Sequence, residues 1–88
     1  MNTNLLNFVN EEAETLESLG FEVGEYLKEN ALWTSGAEIV LSYGGPTIWI
    51  DTENGLICGS WADDYESREL NRFTAELIRD GIASKQVA

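Results

Sequence analysis

The side chains able to do chemistry in this chain are almost all carboxylates. Sixteen Asp and Glu face five Lys and Arg, and histidine is absent. Without histidine the chain lacks the commonest general acid-base and the commonest metal ligand, which argues against zinc sites and against serine or cysteine triads. Cys58 lies in an expected strand beside Gly59, with no histidine and no dense cationic run to lower its pKa, so it reads as a buried, inert thiol. Carboxylate pairs such as Asp51 with Glu53, or Asp63 with Asp64, could in principle divide acid and base roles. Turn and cap duties account for both pairs. The stretch Asp51-Thr52-Glu53-Asn54-Gly55 places its glycine fifth, where a calcium loop of the EF-hand type needs it sixth, and a hairpin turn is the better reading. Gly44-Gly45-Pro46 has no lysine nearby and is likewise a turn, not a phosphate loop. No catalytic residue, no metal and no cofactor is expected, and the chain reads as non-enzymatic.

The charge itself is the stronger signal. At −11, with a pI near 4.1, it lies beyond the magnitude of about 2 to 8 that solubility asks of a small domain. Nucleic-acid binding draws on Lys and Arg against phosphates, so direct nucleic-acid binding is disfavoured, and so is an anionic membrane surface. A basic protein surface is favoured, since opposite fields accelerate and orient encounter. Part of the acidity is locally explained. Glu69 with Arg72 and Glu76 with Arg79 are spaced for pairing on a helix, and Asp63 with Glu66 matches a capping box. The unexplained excess sits between Glu11 and Glu29, where Lys28 alone stands among seven glutamates. On one continuous helix Glu11, Glu14, Glu22, Glu25 and Glu29 share a face, with Glu12 and Glu17 at its edges. That row would extend roughly 27 Å and imitate a line of phosphates, although Gly20 threatens to kink it. Asp51, Glu53, Asp63, Asp64 and Glu66 form a second expected cluster, near the last hairpin and the start of the final helix.

These residues need elements to hold them. Leu5, Leu6, Phe8, Val9, Ala13, Leu16 and Leu19 recur at three- and four-residue spacing, so Asn4 to about Leu19 reads as an amphipathic helix with Asn2, Thr3 or Asn4 as N-cap. After Gly20, Phe21 to Asn30 reads as a second helix, with a brief extended piece at Phe21–Val23 as the alternative. Thr34-Ser35-Gly36 reads as a turn. Three strands follow, Ala37–Tyr43, Thr47–Asp51 and Leu56–Trp61, separated by Gly44-Gly45-Pro46 and by Thr52-Glu53-Asn54-Gly55, whose Asn-Gly step suits a tight hairpin. A final helix is expected from about Asp64 to Ala83, burying Leu70, Phe73, Leu77 and Ile78, with Gly81 as a candidate earlier end. The result is a single α+β domain over residues 1–88, with an N-terminal helix or helix pair, a three-stranded antiparallel meander and a C-terminal helix in two layers. No apolar run approaches the roughly 20 residues that cross a bilayer, and Met1-Asn2-Thr3-Asn4 lacks the basic start of a signal peptide, so a cytoplasmic protein is expected.

On the second expected strand Ile48 and Ile50 point one way and Trp49 with Asp51 the other. If the isoleucines meet the helices, Trp49 stands on an open face and can anchor a partner; alternatively the helices or a second protomer cover it.

A short, strongly acidic chain with no catalytic inventory and a helix-sheet-helix layout resembles the small acidic inhibitors of phages and mobile elements, the anti-CRISPR and anti-restriction proteins that mimic DNA. Acidic immunity proteins that neutralise a nuclease look similar for the same physical reason. The resemblance implies an inhibitor in the host cytoplasm that occupies the nucleic-acid groove of a defence complex or nuclease, its carboxylates facing Lys and Arg. The alternative is a small interaction or adaptor module, homodimeric or not, that uses the sheet face around Tyr43, Trp49 and Trp61.

Overall fold

The computed structural model of the chain describes the backbone of residues 3–87 and the side chains of residues 4–81. Its elements run α1 (Thr3–Ser18), a 3-10 turn (Gly20–Glu22), α2 (Val23–Asn30), β1 (Trp33–Ser35), β2 (Glu38–Ser42), β3 (Thr47–Asp51), β4 (Leu56–Trp61), β5 (Asp64–Glu69) and α3 (Arg72–Val87). All five strands pair antiparallel with their sequence neighbours in the order β1-β2-β3-β4-β5. The class is α+β, and the sheet is larger than the expected meander of three.

α1 forms because its apolar residues fall on one stripe. Leu5, Val9, Ala13 and Leu16 are fully buried, whereas Phe8 stays 43% exposed on the flank. Each such leucine or valine contributes about 1.5–3 kcal/mol by leaving water. Of the candidate N-caps, Asn2 lies outside the described residues, and Thr3 and Asn4 lie inside α1. The stripe packs on β4 and β5. Gly59 makes that approach close, for a Cβ there would stand 2.7 Å from Val9 Cγ2, 2.9 Å from Ile48 Cδ1 and 3.0 Å from Leu5 Cδ1. Ile39, Ile48, Ile50 and Ile57 complete the core from the sheet, joined by Val23 and Leu27 of α2 and by Ala75 and Ile78 of α3.

Two strands stand where the sequence indicated other structure. Trp33–Ser35, expected partly as a turn, pairs with β2 through Trp33↔Val40 and Ser35↔Glu38, and the reversal falls after it at Gly36 with φ +59°. Asp64–Glu69, expected as the first turns of the last helix, pairs along its whole length with β4, from Leu56↔Glu69 to Trp61↔Asp64. The capping-box pattern at Asp63 and Glu66 is a local preference, and a full ladder of backbone bonds to β4 outweighs it. Charged residues also suit a strand at the sheet's edge. α3 therefore starts eight residues later, and Asn71 caps it by accepting the Thr74 N–H at 2.8 Å. Its salt bridge joins Arg72 Nε to Glu76 at 3.1 Å, in place of the expected Glu69–Arg72 and Glu76–Arg79 pairs. Leu70 is buried but precedes the helix, Phe73 is 49% exposed and meets Phe21 edge-on at 5.2 Å, and the helix continues past Gly81.

The β3–β4 connection is a four-residue loop with one positive φ, at Gly55, so the Asn-Gly step is not a two-residue hairpin turn. Buried Thr52 fastens the loop by donating its hydroxyl to the Ala37 carbonyl at 2.6 Å. Among the described residues no helix is long and apolar enough to cross a membrane.

Candidate functional site

The helical acids do not form one line. Gly20 adopts φ +58°, the 3-10 turn follows, and the Leu19 and Glu22 amides donate to the Leu16 and Leu19 carbonyls. The chain turns far enough that Tyr26 on α2 donates its hydroxyl to Glu12 on α1 at 3.0 Å, fourteen residues away in sequence. On a continuous helix those residues would be about 21 Å apart along the axis, beyond side-chain reach. The expected straight row is thus divided into Glu11 and Glu14 on α1 and Glu22, Glu25 and Glu29 on the 3-10 turn and α2, all five exposed. Glu12 and Glu17 are engaged elsewhere. Glu17 accepts from Arg68 Nη2 at 2.9 Å and from the Asn71 amide at 2.7 Å, which ties α1 to the junction of β5 and α3.

Between α1, α2 and the β2–β3 hairpin lies a cleft of about 410 Å³, lined among others by Glu11, Glu12, Tyr26 and Asn30. Burial and the Glu12 carboxylate both raise the Tyr26 pKa, burial more than Glu12, so this phenol remains a neutral donor.

The second expected cluster also divides. Asp51 and Glu53 sit at one end of β3–β4, and Asp63 and Asp64 at the other, because Asp51 pairs with Leu56 while Asp64 pairs with Trp61. The length of β4 puts about 17 Å between those ends. Glu66 lies between them opposite Gly59, on the helix-facing side of β5. None of these acids stands at a helix start. Asp51 serves its own loop, accepting from the Glu53 and Asn54 amides at 3.1 Å each and from Asn54 Nδ2 at 2.9 Å. The Asn54 side chain, aided by the two amides, lowers its pKa. A carboxylate so occupied is held ionised and is poorly placed to exchange protons. Among the described residues no group of three or more His, Cys, Asp or Glu could hold a metal.

Strand register assembles something the sequence did not single out. The row Ser35–Glu38–Asp51–Leu56–Glu69 crosses the sheet, so Glu38 and Glu69 join Asp51 on one face. The adjacent row on that face is Trp33–Val40–Trp49–Cys58–Ser67. Ile48 and Ile50 point into the core, which leaves Trp49 on the face that no helix covers. Its ring meets Tyr65 at 6.0 Å, and Trp33 meets Tyr43 at 5.5 Å. Trp61, expected on this face, points to the other side, packs against the core and lies 6.2 Å from Phe8. Strand parity around β4 decides this, and it places Trp33 and Tyr65 where Trp61 was expected. Cys58 is buried beneath the aromatic rings, accepts the Tyr65 hydroxyl at 3.5 Å, and has its pKa raised chiefly by burial. Tyr65 and Glu69 carry no readable signal, because Asp64–Glu69 is too polar to show an apolar alternation, and the faces of Trp33 and Glu38 are set by their pairing partners.

Neither protein-family models, nor curated proteins, nor solved structures yield a match to this chain.

Proposed function

We propose that the chain is a non-enzymatic inhibitor that imitates nucleic acid in charge and blocks the basic groove of a nucleic-acid-binding protein, such as a defence complex or nuclease in the host cytoplasm. One observation carries this reading. Of sixteen acids, only Glu17 and Glu76 form an ion pair among the described residues, and none of the sixteen is buried, so fourteen carboxylates face outward without a cationic partner and the surface carries a dense negative field. Such a field attracts a surface built for phosphates. With the helical row divided at Gly20, the imitation is one of charge density over a surface, not of a straight line of phosphates. Glu11, Glu14, Glu22, Glu25 and Glu29 on the helices, Asp51 and Glu53 at one end of the sheet, and Asp63, Asp64 and Glu66 toward the other supply that density.

The test is affinity capture from host extract, washed at low and at high salt, followed by a DNA-displacement assay on whatever is recovered. A captured DNA-binding protein that is lost at high salt, releases its DNA when the acidic chain is added, and is captured less well by the Glu22→Lys, Glu25→Lys, Glu29→Lys variant supports the reading. Capture indifferent to both salt and these reversals removes it.

A second reading, an adaptor or homodimer that works through the sheet face, is favoured by the exposure of Trp33, Tyr43 and Tyr65. Sedimentation at two salt concentrations separates the two, because an apolar dimer is insensitive to salt.

A further inference from the structure

We infer that the open face of the sheet is a docking surface for an arginine-bearing segment of a basic protein. This deepens the reading above and rests on its premise of a basic partner.

The face is built as a platform. Val40 and Cys58 are 8% and 2% exposed yet lie outside the main core cluster, so they form an apolar floor on the side away from the helices. Over and beside that floor stand two ring pairs, Trp33 with Tyr43 and Trp49 with Tyr65. Trp33, Tyr43 and Tyr65 are 46%, 73% and 57% exposed, although aromatic rings are costly to leave in water unless something covers them. The described helices all lie on the opposite face, so none of them is the cover.

Charge decides among occupants. Glu38, Asp51 and Glu69 occupy the row next to Trp33, Val40, Trp49 and Cys58, two residues away along each strand. That separation is about 7 Å, within the length of one long side chain. A nucleic-acid strand could stack its bases on the rings, but its phosphates would then meet these carboxylates. A second copy would bring the same acidic row, and a total charge of −11, against an identical one. A cation satisfies both features together. Arginine does so best, because its planar guanidinium stacks on an aromatic ring while its N–H groups reach a carboxylate, whereas lysine offers only a point charge.

The experiment titrates the full chain, at physiological salt, with three twelve-residue peptides that alternate glycine with arginine, lysine or glutamate. Calorimetry and tryptophan fluorescence provide the readouts. Expected is binding of the arginine peptide, at least threefold weaker binding of the lysine peptide, and none of the glutamate peptide. Trp33→Ala and Tyr65→Ala, both exposed positions outside the core, should each weaken arginine-peptide binding at least fivefold, as should the pair Glu38→Gln, Glu69→Gln. The pair Glu76→Gln, Asp80→Asn, exposed on α3 on the opposite side of the sheet, should bind within twofold of the parent. Circular dichroism establishes that each variant is folded. The inference is overturned if the triple variant Glu22→Gln, Glu25→Gln, Glu29→Gln loses the peptide while the face variants keep it, an outcome that leaves the basic-partner reading standing. Absence of any peptide binding overturns it as well, and the capture assay then judges the broader reading separately. Tighter binding of an oligothymidine strand, or self-association abolished by Trp49→Ala, assigns the face to a different occupant and equally overturns it.

Discussion

Arg68 on β5 donates to Glu17 on α1 at 2.9 Å, across fifty-one residues of sequence, and a second guanidinium nitrogen donates to the Asn10 carbonyl at 3.2 Å. The pair spans the two layers near the edge of the sheet, with side chains 32% and 18% exposed. Glu17 also holds the Asn71 amide, so one carboxylate positions the helix layer, the edge strand and the entry to α3.

Glu17→Ala should therefore cost about 2 kcal/mol in urea unfolding, the range for hydrogen bonds to charged groups, and far more than removal of an exposed acid such as Glu14. In a double-mutant cycle with Arg68→Ala the coupling should be about 1 kcal/mol. Additive effects would show that the two residues stabilise the protein independently.

Tyr26 and Glu12 hold α2 beside α1 after the turn at Gly20. Tyr26→Phe should lower stability by about 1 kcal/mol at neutral pH. The phenol's pKa is raised in the folded chain, so its contribution is complete below the unfolded value near 10 and is lost as pH rises from there through the folded value. Stability should thus fall above about pH 10 in the parent, and less steeply in Tyr26→Phe. Denaturant midpoints collected from pH 8 to 11 test this.

Gly59→Ala should destabilise by about 1–3 kcal/mol, because the added methyl meets Val9, Ile48 and Leu5 side chains at 3.0 Å or less. Shortening one neighbour relieves the clash. The double variant Gly59→Ala, Val9→Ala should accordingly lose less than the sum of the single losses, as read by thermal unfolding.

Cys58 is 2% exposed and its thiol is pushed up in pKa, mainly by burial. A thiol-reactive disulfide reagent at pH 8 should modify the native chain at least about a hundredfold more slowly than the urea-unfolded chain. Comparable rates would mean that the open face exposes its floor.

Much of the fold was legible in the residues. The spacing of Leu5, Val9, Ala13 and Leu16 indicates a helix and names its buried stripe, and alternation at Ile48, Trp49 and Ile50 indicates a strand with Trp49 opposite the core. The two outer strands were not legible, because Trp33–Ser35 is short and Asp64–Glu69 is mostly charged, so neither carries an apolar pattern. Their backbones are satisfied only by neighbours, β1 by β2 and β5 by β4.

Composition by itself determined the sign and size of the charge and the absence of histidine chemistry, because these are sums over residues and do not depend on where the chain goes. Tertiary structure alone decided which acids meet. Gly20 divided the helical row, the length of β4 separated Asp51 from Asp64, and strand register brought Glu38 and Glu69 alongside Asp51 next to Trp49. The physical reason is that a side chain's face follows a period of two in a strand and 3.6 in a helix, and its neighbours follow from pairing partners distant in sequence.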